Sequence, residues 1–161
     1  MMVLAHGCFD ILHIGHIEYL NAAKALGNKL IVTITADRHI RKGFGRPIFN
    51  QDQRKQMLEA LKIVDQVQVI DDPTALPAIH QFKPDIYVKG MDYSVETPAL
   101  KLEREAVESY GGKLIIITTP KYSSSTLIDL IAQKTCNPDN AMDPMNYRTL
   151  WVKGARLHLV Y

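Results

Sequence analysis

Five short apolar runs recur along the chain: Val3 to Cys8, Leu30 to Thr35, Val67 to Ile70, Ile86 to Val88 and Leu114 to Thr118. Each is rich in β-branched residues and bounded by Gly, Pro, Asn or Asp, so each reads as a buried strand. The intervening segments carry the other period. His16 to Leu26 places Ile17, Leu20, Ala23 and Leu26 on one helical face, and Gln51 to Leu61 repeats the pattern with Met57, Leu58 and Leu61. Pro77 to Phe82, Ala99 to Tyr110 and Thr126 to Gln133 predict three further helices, with stops at Gly27-Asn28 and Gly111-Gly112. Strands apolar on both faces, alternating with helices, imply an α/β fold: a doubly wound, parallel, five-stranded sheet covered on both sides.

That body is expected to span residues 1–134, with residues 135–161 as a C-terminal appendage. The link is turn-rich (Cys136-Asn137-Pro138-Asp139-Asn140, Asp143-Pro144), and Thr149 to Val152 with Arg156 to Tyr161 predict a hairpin around Lys153-Gly154-Ala155. The appendage reads equally as a cap, a dimer element or the start of a further domain. A net charge of +2 gives no ground for expecting nucleic acid or a membrane surface as partner, so anions must be met by local clusters. Cys8 and Cys136 are the only cysteines, too few for a disulfide framework or a four-ligand zinc site. No apolar run reaches about 18 residues, and Val3 to Ala5 leads straight into a polar motif, so neither a membrane span nor a signal peptide is expected. A cytoplasmic location is the expectation.

In a doubly wound sheet ligands bind beyond the carboxyl ends of the strands, near the switch in strand order. There the sequence reads Gly7-Cys8-Phe9-Asp10-Ile11-Leu12-His13-Ile14-Gly15-His16 and then runs into a helix. A helix N-terminus presents unpaired N–H groups and partial positive charge, which suits phosphate. Imidazoles at His13 and His16 add donors along a phosphate chain, and Gly15 removes a Cβ where a ligand approaches the backbone. The alternatives are a zinc pair or two capping histidines. Zinc wants a third ligand at suitable spacing, and none is evident.

His13-Ile14-Gly15-His16 after Gly7-Cys8-Phe9-Asp10 resembles the signature of the cytidylyltransferase-like nucleotidyltransferases, a Rossmann-like superfamily. The likeness continues through Lys42-Gly43-Phe44-Gly45-Arg46-Pro47, Gln53-Arg54, Pro84 to Tyr93 and Ser124-Ser125-Thr126, and covers about residues 3–133. The Lys89-Gly90-Met91-Asp92-Tyr93 form is most similar to the heptose 1-phosphate adenylyltransferases of lipopolysaccharide precursor synthesis. Glycerol-3-phosphate and phosphonate cytidylyltransferases are more distant.

The resemblance implies roles. His13, His16 and Lys42 would be catalytic, the histidines on the triphosphate and Lys42 in a loop that closes over it. Gly7, Cys8, Phe9, Asp10, Gly15, Lys89, Gly90, Asp92, Ser124, Ser125 and Thr126 would bind nucleotide. Asp10, Lys42, Arg46 and Arg54 would face the acceptor, although Arg54 alone would read as a surface residue. Departures are His6, where the heptose enzymes usually carry a small polar residue, Ser125 in place of Thr, and Lys121-Tyr122-Ser123 in place of the Arg-Thr-Glu-Gly run of glycerol-3-phosphate cytidylyltransferases.

The implied reaction is in-line attack by an acceptor phosphate on the α-phosphorus of an NTP, releasing pyrophosphate. An acceptor phosphate is anionic at neutral pH, so no general base is required, and Cys8 is not needed as a nucleophile. Magnesium is expected as cofactor through phosphates and waters, with no protein ligands. The expected pair is ATP and a sugar 1-phosphate; CTP with a phosphonate or polyol phosphate is the alternative, and a non-catalytic nucleotide-binding module the alternative of another class. A homodimer or a fused partner domain is expected as a further partner. The lack of Gly-x-Gly-x-x-Gly in the first turn argues against a redox dinucleotide fold.

Overall fold

The computed structural model describes residues 1–43, 45–90, 97–118, Ile128, and the backbone of 149–152 and 155–158. Contacts divide the chain into two compact units, Met1–Ser124 and Ser125–Tyr161. In the first, β1 (Met2–Gly7), β2 (Lys29–Thr35), β3 (Gln66–Ile70), β4 (Ile86–Gly90) and β5 (Lys113–Ile117) form one parallel sheet in the order β3-β2-β1-β4-β5. The helices are α1 (Ile14–Ala25), α2 (Gln51–Glu59), α3 (Leu76–Phe82) and α4 (Pro98–Glu108). The expected doubly wound sheet is present, with element ends shifted by one or two residues. The expected helix at Thr126 to Gln133 lies outside the described residues. In the second unit, β6 (Thr149–Val152) and β7 (Ala155–His158) pair antiparallel, starting one residue earlier than expected for β7.

The period of two along each strand sorts side chains into two cores. Val3, Ala5, Leu30, Val32 and Val88 pack under Tyr19, Leu20 and Ala23 of α1 and Leu58 of α2. Leu4, Ile31 and Tyr87 pack on the other face under Ala78 and Ile79 of α3 and Val107 of α4. With α1 and α2 on one face and α3 and α4 on the other, the winding reverses between β1 and β4. A crevice therefore opens at the carboxyl end of β1.

On the α3/α4 face the apolar layer ends two residues short of that edge. Leu4 gives way to His6 and Ile31 to Thr33, and both polar side chains are buried. His6 Nδ1 shares a hydrogen bond with Thr33 Oγ1 at 2.9 Å, and its Nε2 one with Thr35 Oγ1 at 3.2 Å. Burial, reinforced by the nearby Lys89 charge, lowers the His6 pKa to about 3 against a weak opposing pull from Asp72. A free histidine titrates near 6.5, so below that pH the unfolded chain takes up a proton that the folded protein refuses, down to about pH 3. The stabilisation is whole above pH 6.5 and is lost as pH falls through this window. Urea titrations at pH 7 and pH 5 should show the wild type losing about 2 kcal/mol more than His6→Gln. Equal losses in the two proteins would show that His6 is not held neutral.

Candidate active site

The turn from β1 into α1 is tightly wound. Phe9 and Ile11 adopt φ of 50° and 58°, and for β-branched Ile11 that is a strained conformation held by its surroundings. His13 is the N-cap of α1, and its backbone N–H donates to His16 Nδ1 at 3.4 Å. The helix thus begins at Ile14, two residues before the apolar spacing suggests. The two imidazoles stack with centroids 3.8 Å apart, and Phe9 packs against His16 at 5.2 Å. Gly15 is buried on the helix side of the pair.

Burial lowers the His16 pKa to about 4, with further pushes from His13 and Lys42. Burial, then Lys42, also lowers that of His13. Both rings are therefore neutral at pH 7. Because His16 Nδ1 accepts, its proton resides on Nε2, which is a donor. Two neutral donors thus stand at a helix N-terminus, donor groups of the kind a phosphate accepts from.

The loop from β2 to α2 is fastened to this turn at two points. Asp10, with a fully buried side chain, accepts from the Ile48 N–H at 3.0 Å, the Phe49 N–H at 3.1 Å and Arg46 Nε at 2.6 Å. Burial pushes its carboxyl up, but these backbone amides and Arg46 outweigh it and hold the pKa below the usual range. The second fastening corrects the sequence reading. Arg54, which reads as a surface residue and by resemblance as an acceptor ligand, has no exposed surface. Its guanidinium donates to the carbonyls of Cys8 (2.6 Å), Thr35 (2.8 Å) and Phe49 (3.1 Å) and pairs with Asp37 at 2.7 Å. It shapes the site from within and offers no surface to an acceptor.

Between these anchors the chain is exposed, and Gly43 and Gly45 take φ of 98° and 73°. Lys42 projects here, close enough to act on Cys8, His13 and His16 electrostatically. Arg46 lies inward, paired with Asp10 and only 8 % exposed. Beside the loop is a cavity of about 190 Å³ whose lining includes His6, Gly7, Cys8, Thr35, His39, Arg41, Lys42 and Lys89. Among the described residues no carboxylate lines it. The Cys8 thiol is pushed up by burial, more than Lys42 and Arg54 pull it down, so it stays protonated.

Lys89 is buried at the end of β4 and pairs with Glu103 at 3.1 Å. A Cβ added at Gly90 would meet no described atom within 4 Å. Asp92, Ser124, Ser125 and Thr126 lie outside the described residues. The structure therefore brings together Gly7, Cys8, Phe9, Asp10, His13, Gly15, His16, Lys42, Arg46 and Lys89 around one strand edge. Sequence reading missed Glu103, His39 and Arg41. For Glu103 a signal existed: it follows Leu100 and precedes Val107 at helical spacing, a carboxylate on an apolar stripe.

Comparison with known proteins gives the same answer as the geometry. The cytidylyltransferase-like family model matches residues 4–138. The bifunctional protein HldE of Syntrophotalea carbinolica is 41% identical over 129 residues, 79% of this chain and 26% of that protein. HldE of Alcanivorax borkumensis is 38% identical over 136 residues, 83% and 28% of the respective chains. This chain thus spans about a quarter of the length of these relatives. A lipopolysaccharide core biosynthesis protein from Thermoplasma volcanium, known from its crystal structure, superposes with a TM-score of 0.62 at 32% identity, over 76% of this chain and 98% of that one. Pantothenate synthetase from Thermus thermophilus shares the fold alone, with a TM-score of 0.56 at 12% identity over 85% of this chain and 62% of that one. A parallel sheet switching at β1, stacked histidines at the first helix and a match over most of its length place this chain in the cytidylyltransferase-like family of nucleotidyltransferases.

Proposed function

We propose that this chain transfers an adenylyl group from ATP to a sugar 1-phosphate, with a heptose 1-phosphate as acceptor, and releases pyrophosphate. The observation that carries this is the pair of neutral, stacked imidazoles at the N-terminus of α1, with the Lys42 loop anchored across from them. The choice of ATP and a heptose rests on the Lys89 to Tyr93 motif, with support from the HldE relatives and the lipopolysaccharide core biosynthesis neighbour.

An acceptor phosphate oxygen forms the new bond to the α-phosphorus. The bond from that phosphorus to the bridging oxygen breaks, and pyrophosphate leaves with the electron pair. No proton changes hands. Two anions must instead be brought together and the charge on the α-phosphate met by fixed donors. His13 and His16 donate there, with the helix N-terminus behind them. Lys42 and Lys89 offset charge on the phosphates, and Asp10 keeps Arg46 and the loop in register with the histidines.

Among the described residues no cluster of three His, Cys, Asp or Glu side chains is arranged to hold a metal ion, and Asp10 is taken up by the loop. Magnesium would enter with the triphosphate, bound mainly through its phosphates and water. Asp92 and the Ser124-Ser125-Thr126 step are assigned to the nucleotide by their place in the family motif. We assign residues 1–134 to the transferase and residues 135–161 to an extension, with a homodimer or a fused partner domain as further partner. A cytoplasmic location accompanies an ATP-using enzyme, and no described helix is long and apolar enough to cross a membrane.

Pyrophosphate release, measured with each of the four NTPs against a heptose 1-phosphate, glycerol 3-phosphate and a phosphonate, tests the assignment. Turnover is expected with ATP and the heptose 1-phosphate. Turnover only with CTP would move the specificity to the cytidylyltransferases, and none with any pair would leave a binding module.

In the same assay His13→Ala and His16→Ala should each lower kcat by about a hundredfold, the scale of losing one charge-stabilising donor, with the fold unchanged by circular dichroism. Near-normal turnover in either variant would remove that histidine from the mechanism.

A further inference from the structure

The row of side chains crossing the sheet below the cavity is polar on three neighbouring strands. Thr33 on β2, His6 on β1 and Lys89 on β4 occupy it, and all three are buried. Into this row α4 projects Glu103, itself 3% exposed. One carboxylate oxygen receives the Lys89 ammonium at 3.1 Å and the Tyr87 hydroxyl at 2.9 Å. The other accepts the backbone N–H of Ala75, the N-cap of α3, at 2.8 Å. A single carboxylate thus joins β4, α3 and α4 directly beneath Lys89.

A buried ion pair is a poor device for stability alone, since desolvating two charges cancels most of their attraction and apolar side chains of similar volume do as well or better. This pair sits where one member also lines the cavity. The cavity's other lining groups are neutral or cationic: His6, His39, Arg41 and Lys42. We infer that Glu103 is a positioning residue, which holds the Lys89 ammonium charged and aimed at the phosphates of the bound nucleotide.

Without a counter-charge, a lysine removed from water favours its neutral amine. Burial does lower the Lys89 pKa, and Glu103 opposes that fall. Among the described residues, Lys89 faces Glu103 from α4, the Tyr87 ring on its own strand with its centroid 5.4 Å from Nζ, and His6 from β1. Asp72 reaches His6 from the loop before α3, and Arg41 and Lys42 line the cavity with Lys89. Among the described residues His6 stays neutral and Arg41 and Lys42 disfavour a third cation, whereas Glu103 favours the protonated Lys89. Three donors belong to an ammonium and the Glu103 contact takes one, which orients the head group as well as charging it.

This inference rests on the reading of Lys89 as a nucleotide ligand, and a double-mutant cycle separates the two. Initial rates of pyrophosphate release are measured with ATP and a heptose 1-phosphate for wild type, Lys89→Met, Glu103→Gln and the double variant, from pH 6.5 to 10. Lys89→Met should raise the KM for ATP or lower kcat at least tenfold. Glu103→Gln, isosteric and able to keep the Ala75 contact, should reproduce five- to tenfold of this and move the alkaline limb of kcat/KM to lower pH. In the Lys89→Met background it should change neither parameter by more than about twofold. Should the Gln variant not fold, Glu103→Asp, which withdraws the charge by one methylene, reads the same coupling with a smaller effect.

A normal pH profile and KM in Glu103→Gln beside an impaired Lys89→Met would overturn the positioning role. So would an equal effect of Glu103→Gln in both backgrounds, which would mark a merely structural contact. Wild-type kinetics in Lys89→Met would instead overturn Lys89 as a nucleotide ligand.

Discussion

Arg54 lies with no exposed surface, and its guanidinium reaches the carbonyls of Cys8, Thr35 and Phe49 while pairing with Asp37. Those carbonyls follow β1, end β2 and precede α2. Buried carbonyls in loops need donors, and five N–H groups in one rigid plane satisfy several at once. The relation between the histidine turn and the Lys42 loop therefore depends on one side chain. Asp10 makes the complementary contact, accepting from the other end of the same loop. A cation held by carbonyls and an anion held by amides fix the loop at both ends while leaving Lys42 exposed between them.

The same division runs through the sheet. Below the edge both faces are apolar and pack in the ordinary way. At the edge the α3/α4 face turns polar, and every group there has a partner chosen for its charge state: threonine hydroxyls for a neutral His6, a carboxylate for Lys89. On the other face, His13 and His16 stay neutral beside Lys42. Lysines and neutral imidazole donors thus coexist a short distance apart. That suits the proposed reaction, which joins two anions without proton transfer: the lysines would attract the substrates, and the imidazoles would donate without needing to be charged.

Much of this was legible in the sequence because the signals were local. Strands buried on both faces must be β-branched runs, and the crevice at β1 follows from their alternation with helices. His13 and His16 stood out because two imidazoles around a glycine have few uses at a helix start. What could not be read arises from tertiary contact. α2 is so polar over Gln51–Glu59 that Arg54 looks like surface, and only the three loops that fold over it bury it. Asp10 looked like a ligand for substrate, whereas its carboxylate binds backbone amides nearly 40 positions further on. The start of α1 was misplaced for a smaller reason: the His13 backbone N–H bonds to the His16 ring, so a turn that looks like loop is already helix.

The most direct test of the central claim is where the triphosphate lies. Crystals grown or soaked with a non-hydrolysable ATP analogue should show its α-phosphate within hydrogen-bonding distance of His13 and His16 at the N-terminus of α1, with Lys42 reaching the β- or γ-phosphate. A triphosphate bound elsewhere on the sheet edge, with both imidazoles untouched, would contradict it.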